Sequence, residues 1–324
     1  MMTNARTPLV SIGLPVFNGD KYLKEAIDSI LAQTFRDFEL IISDNASGDR
    51  TEEICRQYAA QDSRVRYYRN ATNIGGANNH NRTFELSRGK YFRLAAHDDV
   101  LTPTLLEKCV AILDQEPSVV LCYSNIIQID EHGKQTGILD KDLACSGTPY
   151  QRFRQLANWN HDCEATYGLM RAEILRKTDL QPNYTDSDRT LLCELSLYGR
   201  FYKIAEPLFY KRYHPEMSTQ AYPKIHERMT WFYPQKKAMK ASAFFPSWIK
   251  TFHYLRIISR VPLNVKDRTS CYLHALRWLL QAHWKSFGKE IVMFLVNFKF
   301  QVQSSKFKVR PKDKLANKVQ KTNS

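Results

Sequence analysis

Tyr91-Phe92-Arg93-Leu94-Ala95-Ala96-His97-Asp98-Asp99 is a short apolar run that stops on two adjacent carboxylates, and Val100-Leu101-Thr102-Pro103-Thr104 beyond it reads as the start of a helix. Neighbouring carboxylates repel each other and add little to stability. At the carboxyl end of a strand, where open α/β sheets bind their ligands, they suit another purpose: holding a hard divalent cation against phosphate. The bland alternative is an acidic pair placed to favour a helix dipole.

Upstream of the doublet, strand-like and helix-like periods alternate. Leu9 to Pro15 is a buried strand, and Lys21 to Gln33 places Tyr22, Leu23, Ala26, Ile27 and Ile30 on one helical face. Phe38 to Ser43 is a second strand, Asp49 to Ala60 a second helix with Asp49 or Thr51 as its cap, Val65 to Tyr68 a third strand, and Gly76 to Ser87 a third helix. Thr104 to Gln115 and Val119 to Tyr123 continue the series. Such alternation predicts an α/β fold with a mostly parallel central sheet covered by helices on both faces. Four loops then meet at one end: Pro15-Val16-Phe17-Asn18-Gly19, Asp44-Asn45-Ala46-Ser47-Gly48-Asp49, Asn73-Ile74-Gly75-Gly76 and His97-Asp98-Asp99. Alone, Asp44 is also a turn former and the paired glycines are also loop punctuation.

After about residue 130 the pattern loosens. Glu131 to Lys134 is a turn, Asp140 to Pro149 a loop, and Thr190 to Tyr198, Phe201 to Ile204 and Leu208 to Lys211 resume regular structure. From about Met229 the chain is helical, aromatic and basic, and from Gln303 it is a Lys-rich tail with the composition of disorder. This divides the chain into a unit over 1–228 whose pattern changes at about 125, a basic helical appendage over 229–302 and a tail over 303–324. Charge follows the same division. Residues 1–200 hold 23 Lys+Arg against 27 Asp+Glu, whereas 201–324 hold 24 against 6. The basic block calls for an anionic surface, and without a recognisable base-reading motif a membrane fits better than nucleic acid. The seven scattered cysteines read as reduced thiols, with His161-Asp162-Cys163 a loop and not a metal site. No apolar segment precedes Thr7, so no secretory signal is expected, and no apolar run is long enough to span a bilayer.

The sequence resembles the family 2 glycosyltransferases, inverting enzymes with the GT-A nucleotide-sugar fold. The likeness is carried by Pro15-Val16-Phe17-Asn18, Ala26 to Thr34, Phe38 to Ser47, Asn73-Ile74-Gly75 and Asp98-Asp99, and more loosely by residues up to about Ser218. It implies that Pro15 and Phe17 border a base, Asp44 hydrogen-bonds it, and Asn73 and Gly75 line the nucleotide cleft. It also implies that Asp98 and Asp99 hold a manganese or magnesium ion, with Asp99 favoured as the direct ligand. By the same resemblance 1–228 is a catalytic domain with a nucleotide-binding half at 7–125 and an acceptor half at 126–228. Ala96 stands where the family often has another Asp, and His80 where it often has a basic residue.

The same resemblance makes Asp188 the catalytic base, with Asp186 as its rival. Lys211-Arg212-Tyr213-His214-Pro215 is similar to the family's Arg-x-His-Pro segment, so that Arg212 or His214 would meet the diphosphate or its ion. The expected function is transfer of a sugar from a nucleotide-sugar, a UDP-sugar being favoured, to a hydroxyl of a saccharide or lipid-linked saccharide. The expected setting is cell-surface polysaccharide or glycolipid assembly at the cytoplasmic face of the membrane. Trp278 and Trp284, with Lys285, Lys289 and Lys299, would mark an interfacial helix, unless that helix packs on the catalytic domain. A nucleotidyltransferase is the first rival, although Pro15 to Gly19 lacks the glycine- and basic-rich phosphate loop it would need. A non-catalytic sugar-nucleotide binder on a membrane is the second.

Overall fold

A computed structural model of the chain describes residues 7–158, 163–221, 246–282 and 288. Strands β1 (Val10–Val16), β2 (Phe38–Asp44), β3 (Val65–Arg69) and β4 (Tyr91–Leu94) lie parallel in the order β3-β2-β1-β4. Helices α1 (Leu23–Leu31), α2 (Thr51–Gln61) and α3 (Gly76–Glu85) connect them. Every residue of β1 and β2 is buried, because helices cover both faces of a parallel sheet. The predicted stripe of α1 is buried at all five positions, Tyr22, Leu23, Ala26, Ile27 and Ile30.

Val100–Leu101 does not begin the next helix. It forms strand β5, pairing antiparallel with Tyr210 and Phe209, and helix α4 (Leu105–Gln115) starts only after Pro103. Strand pairing satisfies backbone groups that a helix entering through Pro103 would leave open. The chain continues through β6 (Val119–Ile129), β7 (Gln135–Leu139), α5 (Pro149–Ala157), a 3-10 turn (Glu164–Tyr167), β8 (Leu169–Arg171), α6 (Ala172–Leu175) and α7 (Ser187–Tyr198). Then come β9 (Arg200–Arg212), α8 (Ser218–Ala221), α9 (Pro246–Arg260) and α10 (Val265–Ala282). The two segments expected at 201–204 and 208–211 are one strand whose register against β6 shifts around Pro207. The sheet has nine strands, extended beyond β4 as β8-β6-β9-β5 with β7 on β6, and all but β5, β7 and β8 point one way.

A second apolar core lies against α5 and α7 and takes in Tyr254, Ile257, Ile258, Val261, Cys271 and Ala275. Helices α9 and α10 therefore pack on the catalytic domain, α9 on α7 and α10 on α5. Arg260 secures α9 through ion pairs to Glu194 and, at 2.7 Å, to Asp179. Trp278 is buried against Tyr254, ring centroids 6.0 Å apart, so it belongs to this packing and not to a membrane face. The boundary expected at 228 falls outside the described residues, as do Trp284, Lys285, Lys289, Lys299 and the tail from Gln303. Among the described residues no helix is long and apolar enough to cross a membrane. All seven cysteines are free thiols.

Glu39 is the polar rivet at the other end of the sheet. Its buried carboxylate accepts from Ser11 Oγ (2.6 Å), Arg66 (2.6 Å) and Arg88 (2.7 Å), joining β1, β2, β3 and the turn before β4. Burial pushes the Glu39 carboxyl upward, but hydrogen bonds from Ser11, Arg88 and Arg66 outweigh it and hold it below 4.5. Stability from this group is thus present above pH 4.5 and lost as pH falls through the lower folded value. Glu39→Gln is expected to cost about 2 kcal/mol in urea unfolding at pH 7, with the gap to the unmodified protein closing on acidification.

Candidate active site

The loops at the carboxyl ends of the strands are stitched together by side chains. The Asn18 amide N–H donates to Ser47 Oγ, and Asn18 Oδ1 accepts from the Gly48 N–H, each at 2.9 Å. Gly19 N–H donates to Thr51 Oγ1 at 2.9 Å. Asn45 bridges to the third loop: its Nδ2 donates to Asn73 Oδ1 at 2.8 Å, and its Oδ1 accepts from Ile74 N–H at 2.9 Å. The fourth loop presses on the first, since a Cβ at Gly19 would stand 2.7 Å from His97 Cδ2. Asn18 (φ 50°), Ala46 (φ 64°) and Gly75 (φ 89°) adopt left-handed backbone, one in each of three loops. Strain of this kind persists where surrounding contacts over-determine it, as at ligand clamps.

Phe17 is exposed beside this network, and Pro15 is buried within β1 opposite Ser43. Asp44 is fully buried. Its Oδ1 accepts from Ser47 N–H (2.9 Å), and its Oδ2 from Tyr67 OH (2.8 Å) and Arg69 (2.5 Å). A base reaching Asp44 would share it with these internal donors.

The end of β9 closes on the doublet because β5, two residues long, pairs with it immediately after Asp99. Arg212 N–H donates to Asp99 Oδ1 at 2.9 Å, and Arg212 Nε to the Asp98 carbonyl at 2.9 Å. The buried Arg212 guanidinium also pairs with Glu25 at 2.6 Å and lies 4.7 Å from the Tyr22 ring. His214 Nε2 lies 2.9 Å from Asp98 Oδ2, with its ring against Tyr22. Lys211 Nζ sits 3.8 Å from Asp99 Oδ2, 3.3 Å from Glu164 Oε2 and 4.8 Å from the Tyr167 ring centroid. Burial pushes both acids up. In Asp98 the positive charge of His97, the His214 hydrogen bond and Lys211 outweigh burial and hold the carboxyl well below its ordinary range. In Asp99 burial prevails and Asp98 adds to it against Lys211, so that carboxyl is raised.

Asp188 lies in the first turn of α7, partly exposed, with Oδ1 accepting from Arg189 N–H at 2.7 Å. Burial and the neighbouring Asp186 push its carboxyl above 3.8, against Arg189 and a hydrogen bond with Cys163. Cys163 directly precedes Glu164, the partner of Lys211. A two-residue link therefore joins Asp188 to the ion pairs behind the doublet. Asp186, in left-handed backbone, is 3.4 Å from Lys250 of α9.

The glycosyl transferase family 2 profile matches residues 11–179, which hold all four loops and the doublet. The chain belongs to glycosyl transferase family 2. An uncharacterized glycosyltransferase of Methanocaldococcus jannaschii is 36% identical over 128 residues, 39% of this chain and 44% of that protein. Glycosyltransferase GlyG of Streptococcus pneumoniae is 25% identical over 210 residues, 62% of this chain and 67% of that protein. The chain spans less than half the length of the first curated relatives it matches. TarS 1–349 of S. aureus, solved in complex with UDP-GlcNAc, superposes with a TM-score of 0.62 at 15% identity, covering 86% of this chain and 74% of that one. The shared architecture is the GT-A fold.

In this family 2 glycosyltransferase the doublet suits a hard divalent ion. Among the described residues no three His, Cys, Asp or Glu side chains form a cage for a metal. A magnesium-like ion needs none, since it binds through one or two carboxylates and completes its shell with water and substrate phosphate. Asp99 Oδ2 is buried without a hydrogen-bond partner, and Asp98 is the outward member of the pair, its side chain 15% exposed against 2%. Burial thus separates two carboxylates that sequence leaves equivalent. It leaves Asp98 the more exposed of the two and Asp99, favoured from the resemblance, buried. His80 is half-buried, with Nδ1 2.9 Å from Gln181 Oε1. Glu164 and the counter-charge of Lys211 escape sequence reading, because the short turn around 164 shows no periodicity. Arg212→Ala is expected to lower stability by about 2 kcal/mol and to weaken any ion-dependent thermal shift, because the Asp98 carbonyl loses its Nε donor and Glu25 its partner while the backbone N–H to Asp99 remains.

Proposed function

We propose that this family 2 glycosyltransferase moves a sugar, with inversion, from a nucleoside diphosphate carrier to an acceptor hydroxyl. The observation that carries the reading is the joining of the acidic doublet, through Lys211, Glu164 and Cys163, to a carboxylate on a separate helix, Asp188. In this reading the doublet is the site of the departing diphosphate and Asp188 that of the attacking hydroxyl, the two sites that in-line displacement requires. UDP is the nucleotide we favour, supported by the fold shared with a protein solved with UDP-GlcNAc.

Phe17, Asn73 and Gly75 would border the nucleotide, with Pro15 and Asp44 fixing the loops that present them. Asp98, steadied by His214, and Asp99 behind it would hold a manganese or magnesium ion, which neutralises charge on the diphosphate when bound. Arg212 holds both aspartates in register, and its own charge is spent on Glu25. Asp188 accepts the proton of the acceptor hydroxyl. Asp186 is the weaker candidate, since Lys250 engages it. A saccharide or lipid-linked saccharide in cell-surface polymer synthesis is the acceptor class we favour.

A thermal-shift screen of nucleotide-sugars with and without manganese tests the donor site: stabilisation that needs both is expected for the unmodified protein and is lost in Asp98→Asn. For the base, Asp188→Asn is expected to keep donor binding within a few-fold and to lower turnover by about 10²–10⁴-fold. Undiminished turnover in that variant would remove the mechanism. Since the carboxyl must be ionised to accept a proton, the acid limb of the kcat profile should lie above 3.8.

A further inference from the structure

We infer that the outer face of the α9–α10 hairpin docks on an anionic lipid bilayer. On α9, Lys250 and Tyr254 are buried and meet Trp278 of α10, at 5.6 Å and 6.0 Å from its ring. Phe252 lies two positions from each of them, so a helix of 3.6 residues per turn points it outward. On α10, Cys271, Ala275 and Trp278 are buried, and by the same geometry Leu273 and Leu276 face out. Helix α9 rests on α7 and α10 on α5, and the two pack on each other. Phe252 is 62% exposed, Leu273 62%, Leu276 46% and Val265 83%.

An exposed apolar row costs solubility unless something covers it. The charge around it selects the occupant. Residues 246–282 contain six Lys+Arg, of which Lys250, Arg256 and Arg260 pair with Asp186, Asp179 and Glu194, the others being Lys266, Arg268 and Arg277, and one acid, Asp267, which is buried and accepts from Asn264. The chain that follows, 283–324, holds ten Lys+Arg against two acids. Apolar side chains beside a basic, acid-poor run match the interface of an anionic leaflet, where burial and attraction add. Of the residues that sequence suggested, Trp278 faces the core and Trp284, Lys285, Lys289 and Lys299 lie outside the described residues; the exposed apolar side chains here are Phe252, Leu273, Leu276 and Val265.

Full-length protein is sedimented with vesicles of phosphatidylcholine alone or with roughly a third phosphatidylglycerol, at about 0.1 M and about 0.5 M salt. Binding to the anionic vesicles only, weakened by salt, is expected. The exposed pair Phe252→Ser/Leu276→Ser should weaken it about tenfold, while Ile138→Ser, an exposed apolar change on β7, leaves it intact. If the first pair loses its melting transition, Val265→Ser/Leu273→Ser replaces it. No binding, full binding by the double variants, or equal loss in Ile138→Ser overturns the inference. So does a concentration-dependent mass in light scattering that the double variant abolishes, since a second copy would then be the occupant. No nucleotide-sugar enters the assay, so its outcome is independent of the proposed reaction.

Discussion

Two carboxylates can stand side by side at the end of a buried strand only if the chain carries positive charge to them, and the end of β9 with the residues just after it does so. Lys211, Arg212 and His214 come from one short segment, more than a hundred residues after Asp98 and Asp99, and each meets a different part of the doublet. The five-residue reach from Asp99 to helix α4 matters here. Had Val100–Leu101 begun that helix, the doublet would have faced a helix N-terminus instead of β9. As a strand it zips onto Phe209 and Tyr210 and delivers the basic segment to the acids.

Neutralisation is incomplete by design of the geometry. Arg212 spends its guanidinium on Glu25 and on a carbonyl, and Lys211 divides its charge between Asp99 and Glu164. Asp98, bonded to His214, is the more exposed carboxylate and the one the proposed cation would reach. The cleft around it is built from backbone and amide groups tied to each other: Asn18 to the second loop, Asn45 to the third, Gly19 against His97. A rim tied in this way would hold the proposed nucleotide without large rearrangement, which is how preorganisation limits the entropy cost of binding.

The helices at the end of the described chain serve two surfaces at once. Their inner sides complete the core over α5 and α7, and Lys250 reaches Asp186, two residues from Asp188. Their outer sides carry apolar residues that the fold itself does not use. Asp188, the proposed base, thus lies on α7 beneath the hairpin, and the proposed bilayer contact is on the hairpin's exposed residues.

Sequence by itself determined the alternation of strands and helices through Tyr123, the buried stripe of α1, and the order of four loops that end on Asp98-Asp99. Local periodicity and turn residues encode these, and each is decided within a dozen positions. Only the tertiary structure decided the rest. It made Val100–Leu101 a strand, because its partner lies in β9. It buried Trp278, because helical spacing does not say which side meets a core. It left Asp98 the more exposed and Asp99 buried, and it brought in Glu164, whose short turn carries no signal. Charge compensation and burial depend on groups distant in the chain, and no window of sequence contains both members of such a pair.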